Sequence, residues 1–257
     1  MKLSIITCTY NSEKYLQDCI DSVIAQNLNI DDYEHIFVDA FSIDKTKKII
    51  EKYKKEYLNV KLIERQAKWV YNAMNEGIKE AKWDYILCLN SDDWLSIDVL
   101  KKYLSYLEKT WNLDIYYWKV SYTKDKVHYY TNLNSLLWLR KFLFKYFGWN
   151  VLIWHPATLI KKEIFEGDIW FFDETKKIAS DYWLLLKCLC YKKTFCYFDE
   201  VVTNFRIHDW SLSSSWKNNK KAHEECRYFK KKYLPLWKAY ISNIIDYWAE
   251  FYWKIIS

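Results

Sequence analysis

Between Leu3 and Val120 short apolar runs alternate with stretches of helical periodicity, and few folds accept that alternation. Leu3 to Cys8, His35 to Asp39, Val60 to Glu64, Asp84 to Leu89 and Leu113 to Val120 read as strands. Between them, apolar residues recur at three- and four-residue steps, as in Leu16, Cys19, Ile20, Val23 and Ile24. Helices are expected from Ser12 (its N-cap) onward, over Asp44 to Tyr57, Val70 to Lys82 and Ile97 to Glu108. Strand–helix units of this length make right-handed crossovers, so the expected fold class is α/β, a mainly parallel sheet flanked by helices. The second half is less regular. Helices are expected over Leu133 to Tyr146 and Ser180 to Tyr191, strands over Phe195 to Val201 and Thr203 to His208, and a helix from Trp216 broken at Pro235.

Ligands of such sheets bind beyond the carboxyl ends of the strands. Three polar clusters fall there: Thr7 to Asn11, Asp39 to Thr46, and Asn90 to Asp93. In the last, adjacent carboxylates follow an apolar strand. A divalent cation carrying diphosphate oxygens would neutralise them; capping of the helix that follows is the structural alternative. No G-x-G-x-x-G and no G-x-x-x-x-G-K-[ST] occurs, which argues against a dinucleotide oxidoreductase and a P-loop ATPase.

The chain carries a formal net charge of +6 without a nucleic-acid-binding motif, so no nucleic acid partner is expected. No apolar run approaches the roughly 18 residues of a membrane-spanning helix. Seven irregularly spaced cysteines suit reduced thiols and a cytoplasmic setting. The run Lys230 to Lys232 and the aromatic tail from Leu236 to Ile256 leave open a peripheral contact with the inner face of a membrane, although a docking helix is the preferred reading of that tail.

Taken as a set, these segments resemble the family 2 glycosyltransferases, inverting enzymes of the Rossmann-like GT-A fold. The resemblance rests on Ser4 to Asn11, on Phe37-Val38-Asp39 with Ser42, Asp44 and Thr46, on Val70 to Ile78, and on Leu89 to Asp93. Later matches are His155 to Thr158, Ala179 to Tyr182 and Phe205 to His208. It implies a catalytic domain over 1–215 and a helical C-terminal extension over 216–257. It also implies roles. Asp39 would contact the nucleoside beside Thr9, Tyr10 and Asn11, with Asn72 in the helix that closes the nucleotide site. Asp92 would touch ribose or sugar, Asp93 would bind Mn²⁺ or Mg²⁺, and Asp181 would be the general base. Arg206 and His208 would steady the diphosphate or the metal. The implied partners are a nucleotide-sugar, a UDP-sugar first, and a glycan or lipid-linked acceptor in polysaccharide synthesis. The helix dipole at Ser180 is expected to lower the Asp181 pKa. The family often has Asp where Ala67 and Asn72 stand, and this favours the main alternative, an inactive nucleotide-sugar or carbohydrate-binding module of the same fold.

Glycine usually supplies about 7% of residues, yet this chain has 3 against 15 tryptophans. The family usually has glycine where Trp69, Trp83 and Trp118 stand, and the same is read for Trp154, Trp170 and Trp210. Trp83 lies in a helix-to-strand turn suited to a left-handed glycine cap. This pattern suggests UGA codons that the source organism decodes as glycine.

Overall fold

In the computed structural model the first half keeps the expected alternation almost residue for residue. The structure describes residues 2–109, 113–124, 127–130, 156, 158–167, 169, 171–209 and 216–245. Strands β1 (Leu3–Thr9), β2 (Tyr33–Asp39), β3 (Val60–Glu64) and β4 (Tyr85–Cys88) alternate with α1 (Leu16–Ile24), α2 (Thr46–Glu56) and α3 (Val70–Glu80). Then follow β5 (Trp94–Leu95), α4 (Val99–Lys109), β6 (Ile115–Lys124), β7 (Val127–Tyr130), β8 (Thr158–Lys161) and a single turn, α5 (Glu163–Glu166). The C-terminal part contributes α6 (Ser180–Cys190), β9 (Phe195–Arg206) and α7 (Trp216–Tyr233). A last helical stretch over 236–245 follows Pro235. The Leu133 to Tyr146 helix, His155, Trp154, Trp170 and Trp210 lie outside the described residues.

One sheet runs in the order β3-β2-β1-β4-β8-β6-β9-β5, with β7 on β6. Its first four strands are parallel. β8 then enters antiparallel between β4 and β6, while β6 and β9 pair in parallel with a bulge near Lys119. The two C-terminal strands expected around Val202 are one strand. The parallel run therefore ends at β4, and the chain leaves its carboxyl end in the polar stretch Asn90 to Asp93.

Helix faces explain the layers. Leu16, Cys19, Ile20 and Val23 of α1 are buried, as are Tyr71, Met74 and Ile78 of α3. At Gly77 the helix comes so close to β1 that an added Cβ would lie 2.5 Å from Ile6 Cγ2 and 3.1 Å from Val38 Cγ2. The C-terminal extension is not peripheral: Phe229 of α7 is fully buried, and its ring lies 6.2 Å from that of Trp183 in α6.

Two expectations change here. Ser12 does not cap α1: the N-cap position is Tyr15, and Ser12 instead receives Tyr10 N–H on its hydroxyl and shares a hydrogen bond with Ser91. No described tryptophan takes positive φ; Asn11, Asn27, Phe41, Asp98 and Lys192 do. The turn before β4 leaves α3 through extended backbone at Ala81, so it needs no left-handed residue at Trp83. Trp118 is fully buried, meets Tyr103 edge-on at 4.9 Å and donates its indole N–H to Thr203 at 3.3 Å.

Candidate active site

The carboxyl ends of β1 and β2 form one end of the candidate site. Thr9 and Asp39 are register partners on adjacent parallel strands. Asp39 is buried, which would be costly without donors. Its Oδ1 accepts from Thr9 Oγ1 at 2.7 Å and Ser42 Oγ at 2.6 Å, and its Oδ2 from Ser42 N–H at 2.8 Å. Asn11, at φ 49°, then ties the two strand-end loops together. Its N–H donates to Ser42 Oγ at 2.9 Å and its Oδ1 accepts Ile43 N–H at 3.0 Å. Ser12 N–H donates to Thr46 Oγ1 at 2.7 Å. Phe41 holds φ 57°, a strained value for a bulky residue. With Tyr10 and Phe41 66% and 54% exposed, this rigid ledge presents two aromatic rings to solvent.

Past the end of β4, the two carboxylates of Asp92 and Asp93 part company. Asp93 is fully buried. Its Oδ1 accepts Arg206 N–H and its Oδ2 accepts Asn90 Nδ2, each at 2.9 Å. Burial, reinforced by the Asp92 charge, pushes its carboxyl well above the ordinary range despite those donors. Asp92 remains partly exposed and its Oδ2 lies 2.9 Å from His208 Nε2. Arg206 is heavily engaged. Its guanidinium lies 4.4 Å from the Tyr15 ring and 4.6 Å from that of Trp94, donates Nη2 to Asp18 at 2.6 Å, and donates Nε to the Asp92 carbonyl at 3.0 Å. The expected Arg-x-His pair thus belongs to the Asp92–Asp93 turn, with β9 bringing it there from over a hundred residues away.

Asp92 and His208 bring together one carboxylate and one imidazole, both partly exposed, just past the end of β4. No group of three or more potential ligands occurs among the described residues. Mg²⁺ commonly uses one or two carboxylates and completes its shell with substrate phosphate and water. Asp92 and His208 are partly exposed, as an ion arriving with a diphosphate requires, although they are hydrogen-bonded to each other; Asp93 is fully buried with both oxygens engaged.

Asp181 stands in the first turn of α6, partly exposed. Its Oδ1 accepts Tyr182 N–H at 2.8 Å and the Tyr71 hydroxyl at 3.2 Å; that hydroxyl also makes a very short contact with the Ile178 carbonyl. Tyr71 opens α3, directly after Val70, whose carbonyl accepts from Cys8 near the carboxyl end of β1 at 3.9 Å. Asp181 therefore lies beside the N-terminal turn of α3. Its pKa is pushed up to about 6: burial raises it, and the Tyr182 N–H and Tyr71 hydroxyl only partly offset this. The expected lowering by the helix N-terminus is overturned, because desolvation of the charged form outweighs the donors.

Asn72 is partly exposed and is engaged by a loop residue. Its Nδ2 donates to Glu174 Oε2 at 2.9 Å. One turn on, Asn75 is buried, donating Nδ2 to Glu174 Oε1 at 2.8 Å and to the Phe172 carbonyl at 3.0 Å while accepting Phe172 N–H at 2.9 Å. On the far side of the same loop, Glu225 of α7 accepts the N–H groups of Lys177, Ile178 and Ala179. Tyr71, Asn75, Glu174 and Glu225 carry no sequence signal for these roles. The one local hint is that Asn72 and Asn75 share a helix face at a three-residue step.

A family model for glycosyl transferase family 2 matches residues 4–168, well over half the chain, so this chain belongs to that family. It is 39% identical over 108 residues to a poly(ribitol-phosphate) beta-glucosyltransferase of Bacillus spizizenii, a stretch covering 41% of this chain and 17% of that protein. It is 32% identical over 110 residues to the poly(ribitol-phosphate) beta-N-acetylglucosaminyltransferase TarS of Staphylococcus aureus, covering 42% of this chain and 19% of the relative. The matched stretches are thus less than a fifth of those relatives' lengths. The fold matches residues 1–349 of S. aureus TarS in complex with UDP-GlcNAc with a TM-score of 0.72 at 20% identity, over 89% of this chain and 65% of that one. It also matches a mannosyltransferase of Pyrobaculum calidifontis in complex with GDP-Man and Mn²⁺, with a TM-score of 0.64 at 16% identity, over 91% and 61% of the two chains. The architecture is that of the GT-A glycosyltransferases. The chain is a member of glycosyl transferase family 2 and is similar over part of its length to poly(ribitol-phosphate) glycosyltransferases.

Proposed function

We propose that this chain transfers a sugar from a nucleotide-diphosphate sugar, a UDP-sugar first, to a hydroxyl of a cell-surface glycan precursor, with inversion at the anomeric carbon. The observation that carries the reading is the Asp181 carboxylate: partly exposed beside the N-terminal turn of α3, held by the Tyr71 hydroxyl and the Tyr182 N–H, with burial pushing its pKa up to about 6. A base with that pKa is ionised at neutral pH yet basic enough to accept a proton in the transition state. In the proposed step Asp181 takes the acceptor hydroxyl proton as the oxygen bonds to the anomeric carbon. The bond from that carbon to the diphosphate oxygen breaks on the opposite face, and nucleoside diphosphate leaves with its electron pair.

The nucleoside would lie on the ledge of Thr9, Tyr10, Asn11 and Asp39, where two exposed rings can stack on a base. Asp39 would shape that ledge through its three internal hydrogen bonds. Asp92 and His208 would hold Mn²⁺ or Mg²⁺, which when bound stabilises the charge on the departing diphosphate. Asp93 and Arg206 would set the turn that presents Asp92, and Asn72 would act through Glu174. A reaction at the cytoplasmic face of the membrane is consistent with the relatives' polymer substrates. Among the described residues no helix is long and apolar enough to cross a membrane. Leu236, Trp237 and Tyr240, all well exposed beside Lys238, suit a peripheral contact there.

The test is a donor screen with UDP-glucose, UDP-GlcNAc and GDP-mannose on a poly(ribitol phosphate) acceptor, with Mn²⁺ and with chelator, reading released nucleoside diphosphate and product anomer. Donor binding without turnover in any arm would favour the binding-module alternative.

A further inference from the structure

The loop that leads into Asp181 is fixed from both sides, and one of its two anchors comes from the C-terminal extension. Glu225 on α7 is 7% exposed. Its carboxylate accepts three successive backbone N–H groups: Lys177 at 3.2 Å, Ile178 at 3.1 Å and Ala179 at 2.9 Å. Ala179 is the N-cap of α6, and Asp181 follows two residues later. These three N–H groups precede the first helical residue, so Glu225 fixes the backbone entering α6 rather than capping its first turn. A buried carboxylate is retained at a cost, and three charge-assisted bonds to one backbone stretch orient that stretch more strictly than apolar packing could. The other anchor is Asn75 with Glu174, which pins residues 172–174 to α3. α7 is itself locked in place: Phe229 packs on Trp183, and Trp183 Nε1 donates to Tyr233 at 3.2 Å.

We infer that Glu225 is a positioning residue for the proposed base, fixing the backbone at 177–179 and through it the direction from which the Asp181 carboxylate meets the acceptor hydroxyl. The inference rests on the sugar-transfer reading above. It assigns the extension a function, because without α7 the backbone entering α6 would lose all three of these acceptor contacts. The groups acting on Asp181 from neighbouring elements are Tyr71 of α3 and Glu225 of α7, and the Glu225 charge disfavours ionisation of Asp181.

The test compares Glu225→Gln with the parent in the full chain, with Glu225→Asp as a second variant should the amide fail to fold. Glutamine keeps the volume, but one of its two head atoms cannot accept. Three readouts are needed: amide hydrogen exchange at 177–179, UDP affinity by calorimetry, and kcat against pH with the donor that turns over in the screen. Exchange at those amides should accelerate at least tenfold while the Kd for UDP stays within twofold. kcat should fall roughly 10- to 100-fold, the scale of a misplacement near 1 Å, and its acid limb should move to lower pH because an anion beside Asp181 is gone. Unchanged exchange, an unmoved acid limb with parental kcat, or UDP affinity falling in step with kcat would overturn the inference. Asp181→Asn run in parallel separates the two failures. If Asp181→Asn turns over like the parent, the base reading falls. If it is inactive while Glu225→Gln is parental, only the positioning role falls.

Discussion

The two ends of the site are built on opposite principles. At the nucleoside end, Thr9 and Asp39 are neighbours because β1 and β2 run in parallel register, and the loops after them are closed by Asn11, Ser42 and Thr46. Every partner sits at or just beyond a strand end. At the base end, Asp181 owes its position to Tyr71 of α3, Asn75 of α3 and Glu225 of α7, which lie 110, 106 and 44 positions away along the chain. The first arrangement follows from the sheet itself. The second exists only when three distant elements have docked, which makes it the part of the site most open to adjustment and to damage.

The largest expected effect breaks the base end alone. Asp181→Asn keeps the size and the hydrogen bond from Tyr71 but removes the proton acceptor, so kcat should fall about 10²- to 10⁴-fold while UDP affinity is preserved. In the parent, the raised pKa fixes the sign of the pH dependence. Asp181 is ionised above its pKa of about 6 and protonated below it, so kcat should rise as pH increases through about 6 and level off above. Tyr71→Phe removes a donor to the charged form and should move that limb upward. A flat profile from pH 5 to 8 in the parent would dissociate Asp181 from the chemical step.

The next comparison falls between the two ends, at Asp92 and Asp93. Asp92→Ala should lower kcat by at least about 10²-fold and abolish the Mn²⁺ dependence of donor binding, with little change in Tm, since the side chain is partly exposed. Asp93→Ala leaves the Arg206 N–H and the Asn90 amide without an acceptor, so it should instead cost stability, on the order of 1–3 kcal/mol. Thermal melts and metal titrations on both variants separate the roles; equal melting points would refute the division.

The strand–helix frame was legible in the sequence because its signals are local. Val60–Glu64 and the starts of α3 and α6 fall where the periodicity puts them. The polar strand ends also announced a site. Roles within it were less legible, because Asp92 and Asp93 are identical in type and adjacent in sequence. Which one is buried depends on β9 laying Arg206 and His208 against that turn, a contact 113 to 116 residues long in sequence. The Asp181 pKa shows the same limit: a helix N-terminus is visible in sequence, whereas desolvation depends on what packs around the carboxylate. At Trp83 the spacing suggested a turn of the kind glycine favours, but backbone direction is set by the strand the turn must enter. The Leu133 to Tyr146 helix lies outside the described residues.

A substitution in α3 should damage the frame first and reach the base end only through that helix. Gly77→Ala places a methyl group against Ile6 and Val38 in the layer between α3 and β1. The gain in helix propensity is smaller than the overpacking penalty, so the net loss should be about 1–3 kcal/mol. Because α3 also carries Tyr71 and Asn75, a shift of the helix should lower kcat of the folded fraction as well, by about tenfold or less. Urea unfolding with a parental m-value and a lower midpoint is the expected signature.

The smallest effect tests how the two ends communicate through Asn72. The Asn72 amide spans 2.9 Å to Glu174, whose other oxygen is held by Asn75. Asn72→Asp replaces a donor with a second anion at hydrogen-bond distance. Glu174 is exposed, so solvent and salt screen the repulsion and the penalty should stay below about 1 kcal/mol. The loop would still be held by Asn75 and Glu225, and kcat should fall only about two- to fivefold. The electrostatic origin gives a sharper test than the size of the effect. Raising salt from 0.05 to 0.5 M should recover part of the loss, because the screening length shrinks from more than about 10 Å to well below it. A loss that ignores salt, or an increase in UDP affinity in Asn72→Asp, would mean that residue 72 faces the nucleotide directly and that Glu174 is not its working partner.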